Sequence, residues 1–454
     1  MESKEKEVNV MVEKKPFRLT PKIYMAIIAI GLCNSIVFTI PYIKYTFYHG
    51  MIEMTGCTNE QLGLLMTIYG LGELFGLPIG GLLADKVDSR KGLCISTAAT
   101  GILCYMLVAK PTYAMTALVW FLLIFTSLFI FWGAIFKGLR ELAPAEYQGR
   151  MVGYYSGASG IGYWVVNTAM VPVYAHYSEV SDGKGMVAVF VFFGALCFLY
   201  AIGAWFIIGM CRKEQQENGW DFLHEEGETE SDERGFAGLI SDLKQVVKYK
   251  SVWVFGLVMF GTYGIQIALS YTETFFTDVL GMTVVFGTFL SVMRYYGMQA
   301  IGAPIQGWLS DKVGGASRVV TWGNILTALI LVLLMVLPTS MLKVVPFLIA
   351  VILLGGFFNS GSYGAMFALP TEGGVPASLY AAAVGLSSAI GYIPDIFEHA
   401  MFGRWLDNHG NAAYPMIFTF GIAVAMMAVI ALTIFRRDKK KGTLKIGDSK
   451  EAAE

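Results

Sequence analysis

Gly81-Leu82-Leu83-Ala84-Asp85-Lys86-Val87-Asp88-Ser89-Arg90-Lys91 and Gly307-Trp308-Leu309-Ser310-Asp311-Lys312-Val313-Gly314-Gly315-Ala316-Ser317-Arg318 read almost alike. Each stretch follows a long apolar segment and precedes another. The second lies half a chain length beyond the first. A 454-residue chain that repeats one charged turn at its half-length is built from two similar halves. A second echo supports the duplication: Ser159-Gly160-Ile161-Gly162-Tyr163 is matched by Ser388-Ala389-Ile390-Gly391-Tyr392.

Hydrophobic residues make up 55% of the chain and charged residues only 15%. A soluble protein of this size carries roughly a quarter charged residues. The apolar residues fall in runs of about 20 or more, enough for a helix to cross a ~30 Å hydrocarbon core; barrel strands would be shorter and would alternate. The pattern predicts an all-α membrane protein with spans at 22–47, 60–84, 90–109, 112–138, 149–175, 186–210, 252–278, 284–310, 317–337, 343–368, 377–405 and 412–435. The organisation is a leader (1–21), a first six-helix bundle (22–210), a linker (211–250), a second six-helix bundle (251–436) and a tail (437–454). No small-residue cleavage site follows the first span, which reads as an uncleaved helix.

Lys and Arg cluster in the leader (Lys4, Lys6, Lys14, Lys15, Arg18, Lys22), after the second span (Lys86, Arg90, Lys91) and in the tail (Arg436, Arg437, Lys439, Lys440, Lys441). The alternate loops hold little beyond Lys110, Lys184 and Lys343, so both termini are expected in the cytoplasm of a cell bearing this chain in its plasma membrane. The net charge of −1 and the lack of a basic stripe give no sign of nucleic acid. Cys33, Cys57, Cys94, Cys104, Cys197 and Cys211 have no C-x-x-C spacing and read as small buried thiols. In the linker, Glu225 to Glu233 is an acidic run of the kind that stays disordered. Phe236, Leu239, Ile240, Leu243, Val246 and Val247 follow at helical spacing, as in a short amphipathic helix on the membrane surface.

The repeated spacing G-x-x-x-D-K resembles the loop signature of the major facilitator superfamily, which joins helices 2 and 3 and again helices 8 and 9. The second copy has Gly314 and Arg318 in the expected places; the first departs at Asp88, where the family usually has Gly. The resemblance covers roughly residues 20 to 436. It implies two pseudo-symmetric six-helix bundles and transport by alternating access. It further implies a conformational latch in Gly81, Asp85, Lys86 and Arg90, and in Gly307, Asp311, Lys312 and Arg318. Arg140 or Arg150, which flank the Glu146-Tyr147-Gln148-Gly149-Arg150 turn, would be partners of Asp85.

Ionisable side chains inside a span are costly and usually line a cavity or pathway. At a rise of ~1.5 Å per residue, Glu73 stands about 18 Å above Asp85, and Arg294 about 25 Å above Asp311. Arg294 is followed by Tyr295, Tyr296 and Gln299, a polar-aromatic cluster suited to a wet cavity. Its forked donors match carboxylate, sulfonate or phosphate oxygens, and some anion-transporting branches of the superfamily place Arg in helix 8. Lys44 falls near the outer end of the first span, as an entrance or interface residue. The eleventh span carries Tyr392, Pro394, Asp395, Glu398 and His399. A carboxyl group in a low-dielectric cavity holds a proton more readily than one in water, so Glu73, Asp395 and Glu398 are proton-coupling candidates. Glu398 and His399 could equally meet water at the outer end of their helix. An ion pair of Arg294 with Asp395 or Glu73 is a further possibility. Asn34, Tyr42, Trp132, Tyr155, Ser159, Tyr163, Asn167, Tyr263, Gln266, Tyr271, Asn359 and Tyr363 complete the set of cavity residues, since aromatics with polar tips suit a site that binds and releases. Glu273 and Asp278 are assigned to the outer mouth, Glu372 to the turn after the tenth span.

The sequence therefore predicts a monomeric secondary transporter of a small organic anion, coupled to protons, with the lipid bilayer as its only other partner. A transporter of neutral sugars or nucleosides, and an exporter of cationic drugs, are the rivals. The chain lacks P-loop spacing, a paired catalytic set and metal-ligand spacing, so neither ATP drive, nor enzymatic activity, nor a cofactor is expected.

Overall fold

A computed structural model describes residues 16–84, 87–220, 222 and 235–444. The expected acidic run at Glu225 to Glu233, the basic residues Lys4 to Lys15, and the latch residues Asp85 and Lys86 lie outside the described residues. Among the described residues the chain forms twelve long helical rods. They are α1 (Pro21–Thr39), α2 (Asn59–Ala84), α3 (Ser89–Ala109), α4 (Tyr113–Leu123, continuing to Leu142), α5 (Gln148–Ser178), α6 (Asp182–Asn218), α7 (Lys250–Ser270, then Thr272–Asp278), α8 (Val284–Val292, continuing to Val313), α9 (Ala316–Val336), α10 (Val345–Ala365), α11 (Tyr380–Gly391, then Ile393–His409) and α12 (Ala413–Lys441).

Rods α1–α6 pack into one bundle and α7–α12 into another. The two meet along two seams, α2 against α11 and α5 against α8. Both ends of the described chain lie on one face, here the terminal face; the opposite one is the distal face. By length and apolar content alone, α2, α5 and α8 fall short of a lipid-facing helix. All three are seam helices, so their polar and glycine content faces protein instead of lipid.

Four of the rods are interrupted along their length. α4 passes through a π-helical stretch, Ile124–Phe131, and α8 through another, Met293–Gly297, which carries Arg294. Such segments widen the helix and recur at functional sites. α7 breaks at Tyr271 and α11 at Tyr392, just before Pro394, whose ring suits the first turn of the new helix.

The charged turns end in matched clamps. In the first half Ser89 donates to Glu141 at 2.6 Å, and Arg212 donates to Glu141 at 2.9 Å and to Asp88 at 2.7 Å. In the second half Ser317 donates to Glu372 through Oγ at 2.8 Å and through its backbone N–H at 2.9 Å, and Lys439 donates at 3.1 Å. Each clamp ties the start of a third helix to the ends of the fourth and sixth of its half. Asp88, the departure from the repeated turn, has a local role: its carboxylate accepts from the Lys91 N–H at 2.8 Å and caps α3. The second copy reverses direction with Gly314 at φ 84° instead, a left-handed conformation that suits glycine.

The linker helix Gly235–Val246 does not simply lie on a membrane surface. Val246 is buried, with Leu243 packed beside it, against Leu379, Ala382 and Ala383 at the terminal end of the second bundle. All six cysteines are reduced and buried.

The clamp generates a pH prediction. Burial alone would raise the Asp88 carboxyl, but the Lys91 N–H and the Arg212 guanidinium outweigh it and hold the group below the ordinary Asp range. A lowered folded value means that Asp88 stabilises fully above its unfolded value of about 3.9, and that this contribution is lost as pH falls through the folded value. Asp88→Asn is expected to lower Tm at neutral pH and to flatten the acid limb of Tm against pH between about pH 5 and 3. An acid limb as steep as that of the wild type would contradict the assignment.

Candidate functional site

The two seams are not closed along their whole length. At mid-depth α5 touches α8, with Trp164 Nε1 3.3 Å from where a Cβ on Gly297 would stand. Nearer the terminal face, Gly160, Gly157 and Gly153 on α5 have no atom within 4 Å of that position. Val152 and Tyr154 on α5, and Ile301 and Ile305 on α8, are 40–46% exposed. The bundles therefore part toward the terminal face and meet toward the distal face.

The distal seal is made of specific contacts. Asp407 of α11 accepts from the backbone N–H of Asn59 at 3.1 Å, from Asn59 Nδ2 at 2.7 Å and from the N–H of Glu60 at 2.8 Å. It thus caps the first turn of α2 from the other bundle, where helical N–H groups have no intrahelical partner. Tyr48 donates to Asn59 Oδ1 at 3.0 Å, and Thr67 donates to the Ile396 carbonyl at 2.7 Å. His49 Nε2 contacts Thr277 at 2.5 Å and lies 3.6 Å from Asp278, which is partly exposed at the distal mouth as expected.

Just inside this seal lie two carboxyl groups, Glu73 from α2 at 6% exposure and Asp395 from α11 at 0%. A Cβ on Gly70, one turn before Glu73, would stand 2.9 Å from Asp395 Cβ, so only glycine lets the two helices come this close. Tyr42 donates to Glu73 Oε1. Tyr263 donates to Asp395 Oδ2 at 2.7 Å, and His399 Nε2 lies 3.1 Å from Oδ1 and 2.9 Å from the Tyr45 hydroxyl. Two carboxyl groups from opposite halves thus share one buried space.

Arg294 is 1% exposed, and its Nε and Nη2 have no hydrogen-bond partner. It makes no ion pair with Glu73 or Asp395. The carboxylate on its own side of the molecule is Glu273, also with both oxygens unpartnered. Glu273 is buried at 0% exposure, against the outer-mouth expectation. It lies past the break of α7 and turns its stem onto Gly287 of α8, 3.6 Å from a Cβ there. A long side chain on a helix points toward the helix N-terminus, so Arg294 reaches along α8 toward Gly287 and Glu273. The guanidinium lies 5.9 Å from the Tyr295 ring, and that ring lies 5.2 Å from Tyr45. Tyr45 in turn contacts His399, so an aromatic bridge links the cation to the carboxyl pair.

Other expectations divide. Asn34 donates to the Tyr163 hydroxyl at 3.3 Å, Tyr163 stacks on Tyr296 of the second bundle at 5.6 Å, and Gln266 donates to Tyr295 at 3.4 Å. Tyr363 and Tyr392 share a 2.7 Å bond beside Tyr263. Ser159 and Tyr155 are buried on α5, and Gln299 is half-buried on α8. Asn167 instead holds Thr39 and Trp132 packs on Phe38 within the first bundle, and Asn359 holds the Thr262 carbonyl within the second. Tyr271 belongs to the seal: it donates to the His399 carbonyl at 3.1 Å and accepts from Lys44 at 3.5 Å. Lys44 is 2% exposed, not at an entrance, with its ammonium facing the rings of Tyr271 and Tyr48. Glu398 and His399 are both at 0% exposure and do not meet water; Glu398 packs between Gly264 of α7 and Val424 of α12. In the second latch, Asp311 is exposed and makes no ion pair with another described residue, Lys312 lies over Trp308, and Arg318 donates to the Val313 carbonyl. In the first, Arg90 stacks on Trp205 within its own bundle.

The sequence reading missed Tyr45 and Asp407. Tyr45 follows Tyr42 at one-turn spacing, a usable signal; Asp407 carries none, since its partner Asn59 is 348 positions away.

Two six-helix bundles enclosing a polar site, sealed on one side and parted on the other, are the architecture of a secondary transporter. The chain matches the Major Facilitator Superfamily over residues 23–394, and it belongs to that family. It is similar to the inner membrane protein YqcE of Escherichia coli K12, 24% identical over 91% of this chain and 95% of that one. Its fold is similar to that of a bacterial homologue of the human lysosomal transporter Spinster in an inward-facing, occupied conformation (TM-score 0.67, 15% identity, 93% and 98% covered). It is also similar to that of the nucleoside transporter NupG (TM-score 0.65, 13% identity, 91% and 98% covered).

The Asp407 cap predicts an effect on the seal. With Cys57, buried at the distal end of α2, kept as the single thiol, Asp407→Ala should raise its rate of maleimide labelling in detergent by about fivefold, since a lost N-cap costs ~1 kcal/mol. An unchanged rate would show that the cap contributes nothing to closure.

Proposed function

We propose that this transporter moves a small organic anion by alternating access, coupled to protons, as a monomer in the plasma membrane with its terminal face in the cytoplasm. Arg294 carries the reading. A guanidinium at 1% exposure with Nε and Nη2 unpartnered is a strained resting state, because buried donors without acceptors are costly. An anion entering between the parted terminal ends would supply planar oxygens to that fork. Glu273 offsets the charge at longer range. Tyr295, Tyr296, Tyr163, Asn34 and Gln266 supply rings and hydrogen bonds for the rest of the substrate. Glu73 and Asp395 carry the proton.

The open terminal side suits an inward-facing state. On closure of that side, Asp85 and Asp311 would take up partners at the facing helix ends, and the clamps at Glu141 and Glu372 would keep each bundle rigid while it rocks. Tyrosines outnumber charges around the site, which supports a second reading: a neutral solute such as a nucleoside or sugar held by rings and amides, with Arg294 structural.

A thermal-shift series on purified protein separates the two. Small carboxylates, sulfonates and phosphates at about 100 times their Kd should stabilise the wild type by ~2.7 kcal/mol, and the stabilisation should vanish in Arg294→Gln. Stabilisation by sugars or nucleosides that survives in Arg294→Gln would sink the anion reading.

A further inference from the structure

We propose that Glu73 and Asp395 hold one proton between them, and that this shared proton is the clasp that keeps the distal side sealed. The inference builds on the reading of both residues as proton carriers and adds the order of events: binding the proton seals the distal side, and releasing it opens that side.

The two carboxyl groups come from different bundles and meet only because α2 and α11 are in contact at Gly70 and Asp395. Glu73 Oε2 is buried and has no partner, while Oε1 is taken by Tyr42 and both Asp395 oxygens are already engaged, by Tyr263 and His399. Gly70, one turn before Glu73, packs directly on Asp395, with a Cβ there 2.9 Å from the Asp395 Cβ and 3.3 Å from its backbone carbonyl carbon, which sets the Glu73 side chain beside Asp395 in the seam. Two carboxylates this close in a dry space cannot both be ionised. A proton between them turns the repulsion into a hydrogen bond that joins the bundles.

The surroundings allow one proton and little else. From the turn that follows α1, Tyr42 and Tyr45 face the pair, and Lys44 acts on it from the Tyr271 and Tyr48 rings without an ion pair. From α2 comes Tyr69, from α7 Tyr263, from α8 Tyr295, and from α10 Tyr363. α11 itself adds Tyr392, Glu398 and His399. The phenols are neutral donors. His399 Nδ1 has no partner, so a second ring proton would be a buried donor with nothing to bond. Lys44 is therefore the cation left to balance a singly protonated pair. With the proton gone, two negative charges face each other across the seam against a single ammonium. Parting α2 from α11 lets water solvate both carboxylates. The proton lost in that step goes to distal water, and no other group need change charge. Asp407 holds the same seam by hydrogen bonds that do not depend on this proton.

Spin labels at Lys110→Cys and Lys343→Cys, one on a distal loop of each bundle, report the seal in full-length protein with the native cysteines replaced. Electron–electron distance measurements without any anion, from about pH 5 to pH 9, should give one short separation in acid and a growing longer population as pH rises. In Glu73→Gln and in Asp395→Asn the amide keeps a neutral hydrogen bond, so the short separation should persist at every pH. Because the measurement is made without any anion, its result does not depend on the anion assignment of Arg294. A wild type with no pH response, or a response retained in both carboxamide variants, would overturn the proposal.

Discussion

The contact of α2 with α11 is the constraint on which the rest depends. The helices meet through glycine, so that Gly63 lies against the His399 carbonyl and Gly403 against that of Asn59. Helix backbones this close leave no room for side chains between them and force Glu73 and Asp395 into one small space. The surrounding residues answer that demand. Tyr42, Tyr263 and Tyr45 bring hydroxyl groups, His399 offers a ring nitrogen, Lys44 brings a distant positive charge, and Asp407 satisfies the exposed start of α2. A larger residue at Gly63 or Gly70 would separate the bundles and leave these groups without purpose.

The two halves, alike in their turns and clamps, divide the chemistry unequally. The first contributes a carboxyl group, Glu73, and an ammonium, Lys44, to the seam; the second contributes Asp395 and His399 there and holds Arg294 and Glu273 within itself. Arg294 rides on the π-helical stretch of α8, where the widened turn displaces its neighbours Tyr295 and Tyr296 around it. Because Tyr295 meets Tyr45, and Tyr45 meets the His399 that contacts Asp395, a change at the cation has a physical route to the carboxyl pair. Cation and carboxyl pair can therefore respond to one another without touching.

The membrane class and the order of the helices were legible because apolar runs and repeated turns are properties of the sequence itself. Depth along a helix was less so. Taking the spans 22–47 and 252–278 as unbroken helices placed Lys44 at an entrance and Glu273 at a mouth, yet α1 ends at Thr39 and turns back through Ile43–Tyr45, and α7 breaks at Tyr271. Beyond such breaks a straight count loses the side chain. Burial of His399 and Glu398 was likewise hidden, because the neighbours that cover them come from the turn after α1 and from α2, α7 and α12. The paired clamps at Glu141 and Glu372 were within reach of the sequence, as a third echo between the halves, but their meaning needed Arg212 and Lys439 beside them.

The central claim is that a proton resides between Glu73 and Asp395, and infrared spectroscopy addresses it without a substrate or a label. The carbonyl absorption of a protonated carboxyl group, followed through a pH titration of the purified protein, should show a buried band in the wild type that fades as pH rises. It should be lost or shifted in both Glu73→Gln and Asp395→Asn. A band that neither substitution alters would place the proton elsewhere and contradict the account.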